Sequence, residues 1–353
     1  MAEKVLMKGN EAIAEAAIRA GCLHFFGYPI TPQNEVSAYM AKKMPKIGGV
    51  FLQAESEIAA ANMVLGAAAA GVRAMTSSSS PGISLKQEAI SYIIGSDLPC
   101  VILNVQRGGP GLGGIQPSQA DYFQATRSPG HGDAHMLVLA PNSVQEMVTL
   151  VTNAFDLADK YRMPAMLLAD GALGQMMEPV VFEDKKPETV AKDWATCGHE
   201  NKREHNVVNS LYIQPDTLEK IVKDRFEKYK YIEENEAKAE CFMTDDAEIV
   251  VVAYGIAARI AKSAVRNARA AGIKAGLIRP ITLWPFPSKV LREKAETAKA
   301  FLTVELSMGQ MVEDVKIATE FKKPVAFFGR TGGMVPTTNE VFDEIVKLNG
   351  GNK

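Results

Sequence analysis

The chain has 353 residues and a mass of 38.2 kDa, a length that suits two domains of ordinary size. Apolar residues make up 47% and charged residues 23%, a globular composition that excludes a mainly disordered chain. A net charge of −2 argues against a surface built to neutralise nucleic-acid phosphates, and no apolar run reaches the ~18 residues that span a bilayer.

The N-terminus turns acidic after one short apolar patch, which is not the pattern of a signal peptide, so a cytoplasmic protein is expected. Cys22, Cys100, Cys197 and Cys241 stand far apart, with no CxxC and no Cys/His cluster. That spacing offers neither a zinc site nor an iron–sulfur cluster. Buried, reduced thiols and no metal ligated by this chain are the expectation.

From residue 1 to 182 short apolar runs alternate with helical stretches. HFFGYPI (24–30), GVFLQA (49–54), RAMTSS (73–78), CVILNV (100–105), HMLVLAP (135–141) and AMLLAD (165–170) have strand length. Between them 56–71, 82–95 and 143–161 read as helices; in the last, Val144, Met147, Val148, Val151 and Phe155 recur at i, i+3, i+4. Near-continuous apolar strands alternating with helices predict an α/β domain, a parallel sheet covered on both faces. Residues 183–245 differ: 25 of the 58 residues from 183 to 240 are charged. Leu218, Ile221, Val222, Phe226, Tyr229 and Ile232 keep helical spacing there, with Asp216 as the expected N-cap after Pro215, so a charged helical connector is predicted. From 246 to 353 the alternation restarts, with strands at 248–255, 274–280, 300–306 and 324–329 and helices at 257–272, 288–297, 309–321 and 338–348. A second, smaller α/β domain follows.

Doubly wound sheets take ligands at the carboxyl ends of their strands. Tyr28-Pro29-Ile30-Thr31-Pro32 follows the first of them, where two prolines stiffen the turn and present the Thr31 hydroxyl; a plain helix start with Thr31 as N-cap and Pro32 as N1 would give the same pattern. Glu57 opens a helix rich in alanine and glycine, and a carboxylate there can also be simple dipole compensation. Arg107 stands at a strand end beside the Gly108–Gly114 loop, which holds five glycines in seven residues. Its guanidinium can clamp a carboxylate in bidentate fashion or form a structural pair with Asp121 or Asp133. No GK[ST] follows that loop, which excludes a P-loop. His131 and Asp133, beside Gly130 and Gly132, read as turn formers.

Glu57, followed by Gly66 after eight residues, resembles the pyrimidine-binding domain of thiamine-diphosphate enzymes, and Thr76–Gly82 is similar to the TSGPG-like turn of the same domains, with Ser80 where Gly is common. In that superfamily the glutamate shares a proton with a ring nitrogen of the cofactor's aminopyrimidine and so activates its thiazolium carbon. YPITP at 28–32, the Glu57 helix, the Ser-Pro-Gly turn and Val105–Gly111 together resemble the α chain of the 2-oxoacid:ferredoxin oxidoreductases. Tyr254-Gly255, Arg279–Pro287 and Val304–Gln310 resemble that family's transketolase-C-terminal-like domain. The loop after Arg107 is most similar to the branched-chain type.

The resemblance implies a pyrimidine-binding domain over 1–182, the connector over 183–245 and a transketolase-C-terminal-like domain over 246–353. Thiamine diphosphate would be met by Glu57, Tyr28, Pro29 and Ser80, the 2-oxoacid by Thr31, Arg107 and Gly108, with Glu57, Thr31 and Arg107 catalytic. The Gly-Asp-Gly motif that holds Mg²⁺ and diphosphate in the superfamily is missing: Asp170-Gly171 follows Ala169, and no suitably placed asparagine follows. The resemblance therefore assigns Mg²⁺ and the diphosphate to a β subunit and [4Fe-4S] clusters to partner chains, with γ and ferredoxin-like subunits expected. The implied reaction is oxidative decarboxylation of 3-methyl-2-oxobutanoate with coenzyme A, ferredoxin taking the electrons. Alternatives are a 2-oxoglutarate enzyme, half of a non-redox thiamine enzyme, or a subunit that keeps the fold without catalysis.

Overall fold

The computed structural model describes residues 4–183 and 190–351. Residues 1–3, 184–189 and 352–353, which hold the outer ends of the two expected domains and the start of the charged connector, lie outside the described residues. The first part runs β1 (Val5–Lys8), α1 (Gly9–Arg19), β2 (His24–Gly27), α2 (Asn34–Lys43), β3 (Val50–Gln53), α3 (Glu57–Ala69), β4 (Ala74–Ser78), α4 (Ser80–Gly95) and β5 (Val101–Gln106). It continues through α5 (Tyr122–Thr126), β6 (Leu137–Leu139), α6 (Val144–Tyr161), β7 (Ala165–Asp170), α7 (Gly171–Gln175) and β8 (Met177–Val180). After α8 (Pro215–Glu236) come β9 (Ala239–Phe242), β10 (Ile249–Val252), α9 (Gly255–Ala270), β11 (Ala275–Pro280) and β12 (Thr282–Trp284). The chain ends with α10 (Ser288–Ala295), β13 (Ala300–Glu305), α11 (Met311–Ala318), β14 (Val325–Gly329) and α12 (Thr338–Leu348).

Two sheets carry the structure. The larger has the order β12-β6-β7-β5-β4-β2-β3 and is parallel except for β12, which pairs antiparallel with β6. Strands β4, β5 and β7 are buried at every position, because helices cover both faces, and this is why they read as continuous apolar runs. The second sheet has the order β14-β13-β10-β11-β9, with only β9 antiparallel. Its first strand, β9, arises inside the charged span, while β12 returns from the C-terminal part to the edge of the larger sheet. The two parts thus share a strand as well as an interface.

That interface is polar and tightly held. Arg279 is buried; it donates to both carboxylate oxygens of Glu146 on α6, at 2.7 and 3.0 Å, and to Glu240 on β9 at 2.8 Å. Buried Gln119 donates to the Tyr254 carbonyl at 2.9 Å and accepts from the Leu306 N–H at 3.0 Å. In the connector, α8 begins with Pro215 at its first turn and Gln214 as N-cap, so Asp216 lies inside the helix. Only its later turns are covered, at Tyr229 and Ile232. Two thiols depart from the expectation of burial: Cys22 and Cys100 are buried, but Cys197 and Cys241 are exposed. No helix among the described residues is long and apolar enough to cross a membrane.

Candidate active site

The turns after β2, β3, β4 and β5 lie along the carboxyl edge of the larger sheet, from its central strand β5 out to its edge strand β3. There β3 leads into α3 through Ser56, whose hydroxyl accepts from the Ala59 N–H at 3.2 Å. Ser56 is therefore the N-cap, and Glu57, the first helical residue, is not needed for that role. Glu57 is buried, with 7% exposure, and no hydrogen bond to its carboxylate is seen among the described residues. A Cβ at Gly82, in the first turn of α4, would lie 2.8 Å from Glu57 Oε1 and 2.1 Å from Ser78 Oγ. Glycine is required there so that α4 can start against this carboxylate. Glu55 is exposed. On the far side of α3, a Cβ at Gly66 would meet nothing within 4 Å; close packing falls on Ala60, Ala61 and Val64 instead.

Arg107 follows β5 and is equally buried. Its terminal nitrogens donate to the Thr31 carbonyl at 3.0 Å and the Leu112 carbonyl at 3.3 Å, and its Nε has no partner. Neither carboxylate considered as a structural partner takes it. Asp133 is exposed, while Asp121 accepts from the Ser80 hydroxyl at 2.6 Å and from Asn104 at 2.9 Å. Burial raises the Asp121 carboxyl above its usual range, against those hydrogen bonds and the pull of the Arg107 charge. The loop after Arg107 closes on itself: Gly108 N–H donates to the Gln116 carbonyl at 3.1 Å and Gly114 N–H to the Gly108 carbonyl at 2.9 Å. A Cβ at Gly113, whose φ is +57°, would sit 1.9 Å from the Gly108 oxygen, so this turn admits only glycine.

The YPITP turn sits beside Arg107. It does not start α2: the N-cap is Gln33, the helix begins at Asn34, and Thr31 and Pro32 stay in the turn. Thr31 Oγ1 accepts from Asn34 at 3.2 Å and donates to no described acceptor. Tyr28 is half-buried, its carbonyl accepting from Gln33 at 3.3 Å; Pro29 is exposed. Three residues that the sequence did not mark fix this turn. Buried Gln33 accepts from Ser77 at 2.6 Å, and Asn10 and Gln175 donate to the Pro32 carbonyl at 2.7 and 3.2 Å.

The serine turn divides by partner. Ser80, one of the residues expected at the cofactor, accepts from the Arg107 N–H at 3.0 Å and donates to Asp121. Ser78 and Ser79, just before it, are buried with hydroxyls that have no partner. The orphaned groups at this edge are the Arg107 Nε and the Ser78 and Ser79 hydroxyls, and beside them stands the largely buried Glu57 side chain. A group offering a ring nitrogen and further polar atoms fits that set. Asp170 is placed otherwise: its Oδ1 caps α7 through the Ala172 and Leu173 N–H groups, both at 3.0 Å, and its Oδ2 accepts from the Ile256 N–H at 3.2 Å. Burial pushes its carboxyl up to about 6. It joins the two parts of the chain. No three His, Cys, Asp or Glu side chains gather as a metal group among the described residues.

Comparison with known proteins bears on this geometry. Residues 15–241 match the family described as "Pyruvate flavodoxin/ferredoxin oxidoreductase, thiamine diP-bdg", and residues 247–341 match "Pyruvate:ferredoxin oxidoreductase core domain II". The chain is 50% identical to the ketoisovalerate oxidoreductase subunit VorB of Methanothermobacter marburgensis, over 98% of both chains. It is 36% identical to the 2-oxoglutarate synthase subunit KorA of the same organism, over 99% of this chain and 100% of that one. Among solved structures, the 2-oxoglutarate:ferredoxin oxidoreductase of Magnetococcus marinus superposes with a TM-score of 0.88 at 25% identity. The match covers 98% of this chain and 65% of that longer one. A split-gene transketolase, at 16% identity and a TM-score of 0.62, shares the fold.

Proposed function

The chain belongs to the 2-oxoacid:ferredoxin oxidoreductases, as a subunit with their thiamine-diphosphate-binding and core II domains, and from that premise we propose that it is an α subunit acting on branched-chain 2-oxoacids such as 3-methyl-2-oxobutanoate. The observation that carries the site is a pair of buried charges at one sheet edge, the Glu57 carboxylate and the Arg107 guanidinium, neither of them in a salt bridge among the described residues. Buried charges are costly, and a ligand that brings a ring nitrogen to one and a carboxylate to the other compensates both. When bound, thiamine diphosphate supplies a nucleophilic carbon and an electron sink for decarboxylation. The Glu57 carboxyl, against which Gly82 packs, would hold thiamine diphosphate at the aminopyrimidine ring nitrogen and share a proton with it. Tyr28 and Pro29, with the serine turn ending at Ser80, form the walls of that subsite. Arg107 orients the substrate carboxylate, with the Thr31 hydroxyl donating to the reacting oxygen and Gly108 leaving room for the substrate.

The diphosphate half comes from a β subunit in this reading, since Asp170 is committed to α7 and Ile256 and no other acidic cluster stands at this edge among the described residues. Mg²⁺ and the [4Fe-4S] clusters then sit on partner chains, with coenzyme A entering as co-substrate and ferredoxin as acceptor. Exposed apolar residues support a partner face: Val50 and Leu52 on edge strand β3, Ile58 on α3 and Leu85 on α4. The test is reconstitution with the partner chains and measurement of viologen or ferredoxin reduction. A higher kcat/KM for 3-methyl-2-oxobutanoate than for 2-oxoglutarate is expected; the reverse order would overturn the substrate. Calorimetry on the single chain should show weak binding of Mg²⁺ and thiamine diphosphate, and tight binding without a partner would overturn the divided site.

A further inference from the structure

Where the Arg107 guanidinium can reach depends on where its backbone stands, and a polar network behind the site fixes that place. Asp121 is the N-cap residue of α5, a position where an aspartate ordinarily accepts from the first turn of its helix, yet its side chain caps nothing there. It turns back to the sheet instead. Its Oδ2 accepts from the Ser80 hydroxyl at 2.6 Å and from Asn104 Nδ2 at 2.9 Å. Asn104, fully buried in β5, accepts with its side-chain oxygen from the Ser80 N–H at 3.2 Å. The Asp121 N–H donates in turn to Gln106 Oε1, also on β5, at 3.2 Å. The end of β5, the start of α4 and the start of α5 are thus tied to one another.

Ser80 is the link to Arg107. Its hydroxyl oxygen accepts from the Arg107 N–H at 3.0 Å and also lies 3.2 Å from the Arg107 carbonyl. A hydroxyl has one hydrogen to give, and two acceptors compete for it here, the Arg107 carbonyl and Asp121. The shorter contact, charge-assisted because it goes to a carboxylate, assigns it to Asp121. The Ser80 oxygen then presents lone pairs to the Arg107 N–H. On its other side the Arg107 backbone pairs with Pro117.

We propose that Asp121 is a positioning residue for Arg107: by taking the hydrogen of the Ser80 hydroxyl it keeps that oxygen on the Arg107 N–H, and so fixes the point at which the guanidinium leaves the end of β5. The inference rests on Arg107 being the group that meets the substrate carboxylate. A planar fork meets a carboxylate through two directed bonds, so a small displacement of its root weakens both. The cost falls on substrate binding. Glu57 is placed by α3, which this network does not include.

The experiment compares Asp121→Ala, Asp121→Asn, Ser80→Ala and Arg107→Lys in the reconstituted complex. The readouts are KM and kcat for the preferred 2-oxoacid, and thiamine diphosphate affinity by calorimetry. Asp121→Ala removes the acceptor. KM should rise about 10-fold, equivalent to one hydrogen bond, with kcat and cofactor affinity unchanged, the pattern of a loss confined to substrate binding. Asp121→Asn keeps an oxygen able to accept from both Ser80 and Asn104, so its KM should return close to the wild-type value; a rise equal to that of the alanine variant would overturn the proposal. Ser80→Ala breaks the same link one step later. Its KM should match that of Asp121→Ala, and the double variant should be no worse than either, because the two residues act in one chain; effects that add would overturn the proposal. A fall in kcat or in cofactor affinity as large as the change in KM would also overturn it, since that marks a general loosening of the sheet edge. Should Asp121→Ala fail to assemble, Ser80→Ala decides, an unchanged KM there overturning the proposal. Arg107→Lys keeps the two readings apart. An unchanged KM in that variant would remove the site itself, whereas a raised KM there beside an unchanged KM in Asp121→Ala would remove Asp121 alone.

Discussion

Two glutamates, one in each part of the molecule, are buried at the carboxyl edge of a parallel sheet beside a helix start, and they are treated in opposite ways. Glu305, at the end of β13, accepts from Ser307 Oγ at 2.9 Å and from the N–H groups of Gln310, Met311 and Val312 at 3.1, 3.0 and 2.9 Å. Burial raises its carboxyl above the usual range, opposed by those hydrogen bonds. Glu57, at the start of α3, has none, because Ser56 already caps the helix and Gly82 keeps the carboxylate clear. The same residue type at the same kind of place is thus structural where its oxygens are satisfied and available for chemistry where they are not. Satisfaction of the buried polar atoms, rather than burial or position, separates the two roles.

The largest expected effect tests this contrast directly. Glu57→Gln leaves an amide that can hydrogen-bond but cannot exchange the proton, so turnover should fall by ~10²–10⁴-fold, the range for a lost acid–base group. Folding and cluster content of the complex should be unchanged, by thermal melts and iron analysis. Wild-type turnover in that variant would return Glu57 to a dipole role. Asp170 sharpens the comparison as another satisfied carboxylate. Burial holds its carboxyl at about 6 in the folded protein, above the ordinary aspartate value of ~4. The stability it contributes relative to Asp170→Asn is therefore fully present below about pH 4 and is lost as pH rises through 6. The total swing is about 3 kcal/mol. Denaturant melts of both proteins across that range should converge as the pH rises; a constant difference would show that the carboxyl is not protonated on folding.

Glu305→Gln comes next. Its amide turns an N–H group toward backbone donors, which should cost about 1–3 kcal/mol of stability while turnover per folded complex stays the same. A loss of turnover without a loss of stability would break the comparison. Arg107→Lys keeps the charge but loses the planar fork. If Arg107 holds the substrate, KM for the 2-oxoacid should rise about 10-fold, equivalent to one hydrogen bond, with cluster content unaltered. An unchanged KM would make Arg107 a loop anchor for Thr31 and Leu112.

The long periodic elements were legible because they bury one consistent face: α6 begins and ends within a residue of the stretch 143–161 read from the sequence, and the runs of β4, β5 and β7 are buried on both sides. What could not be read depends on tertiary approach. Thr31-Pro32 carries a helix-start pattern, yet Gln33 caps α2, because the turn is held instead by Asn10, Gln175 and the Arg107 guanidinium. The three residues of β12 join a sheet built some 140 positions earlier, pairing Thr282 with Leu139 and Trp284 with Val138, which no local pattern encodes. In the run Ser77–Ser80 nothing in the sequence tells the partnered hydroxyls of Ser77 and Ser80 from the unpartnered ones of Ser78 and Ser79. A lysine in the amphipathic stretch of α4 looks solvated, and Lys86 is enclosed only because α3 and β4 close over it.

The smallest effect should come from Glu55, two residues before Glu57 and exposed. A carboxylate near a helix N-terminus is favoured by the helix dipole by ~0.3–1 kcal/mol, and the effect is screened by salt. Glu55→Gln should therefore lower stability by no more than that, and less at high ionic strength, with turnover of the complex unchanged. If Glu57 served only the dipole, the Gln variants of both residues would behave alike, since both stand at the same helix start. Asymmetry in turnover with near-equality in stability is the signature of a carboxylate kept for a ligand. Denaturant melts at low and high salt, paired with viologen reduction, read both quantities on the same preparations. A loss of turnover in Glu55→Gln that matches or exceeds that of Glu57→Gln would move the proton-sharing role off the buried carboxylate.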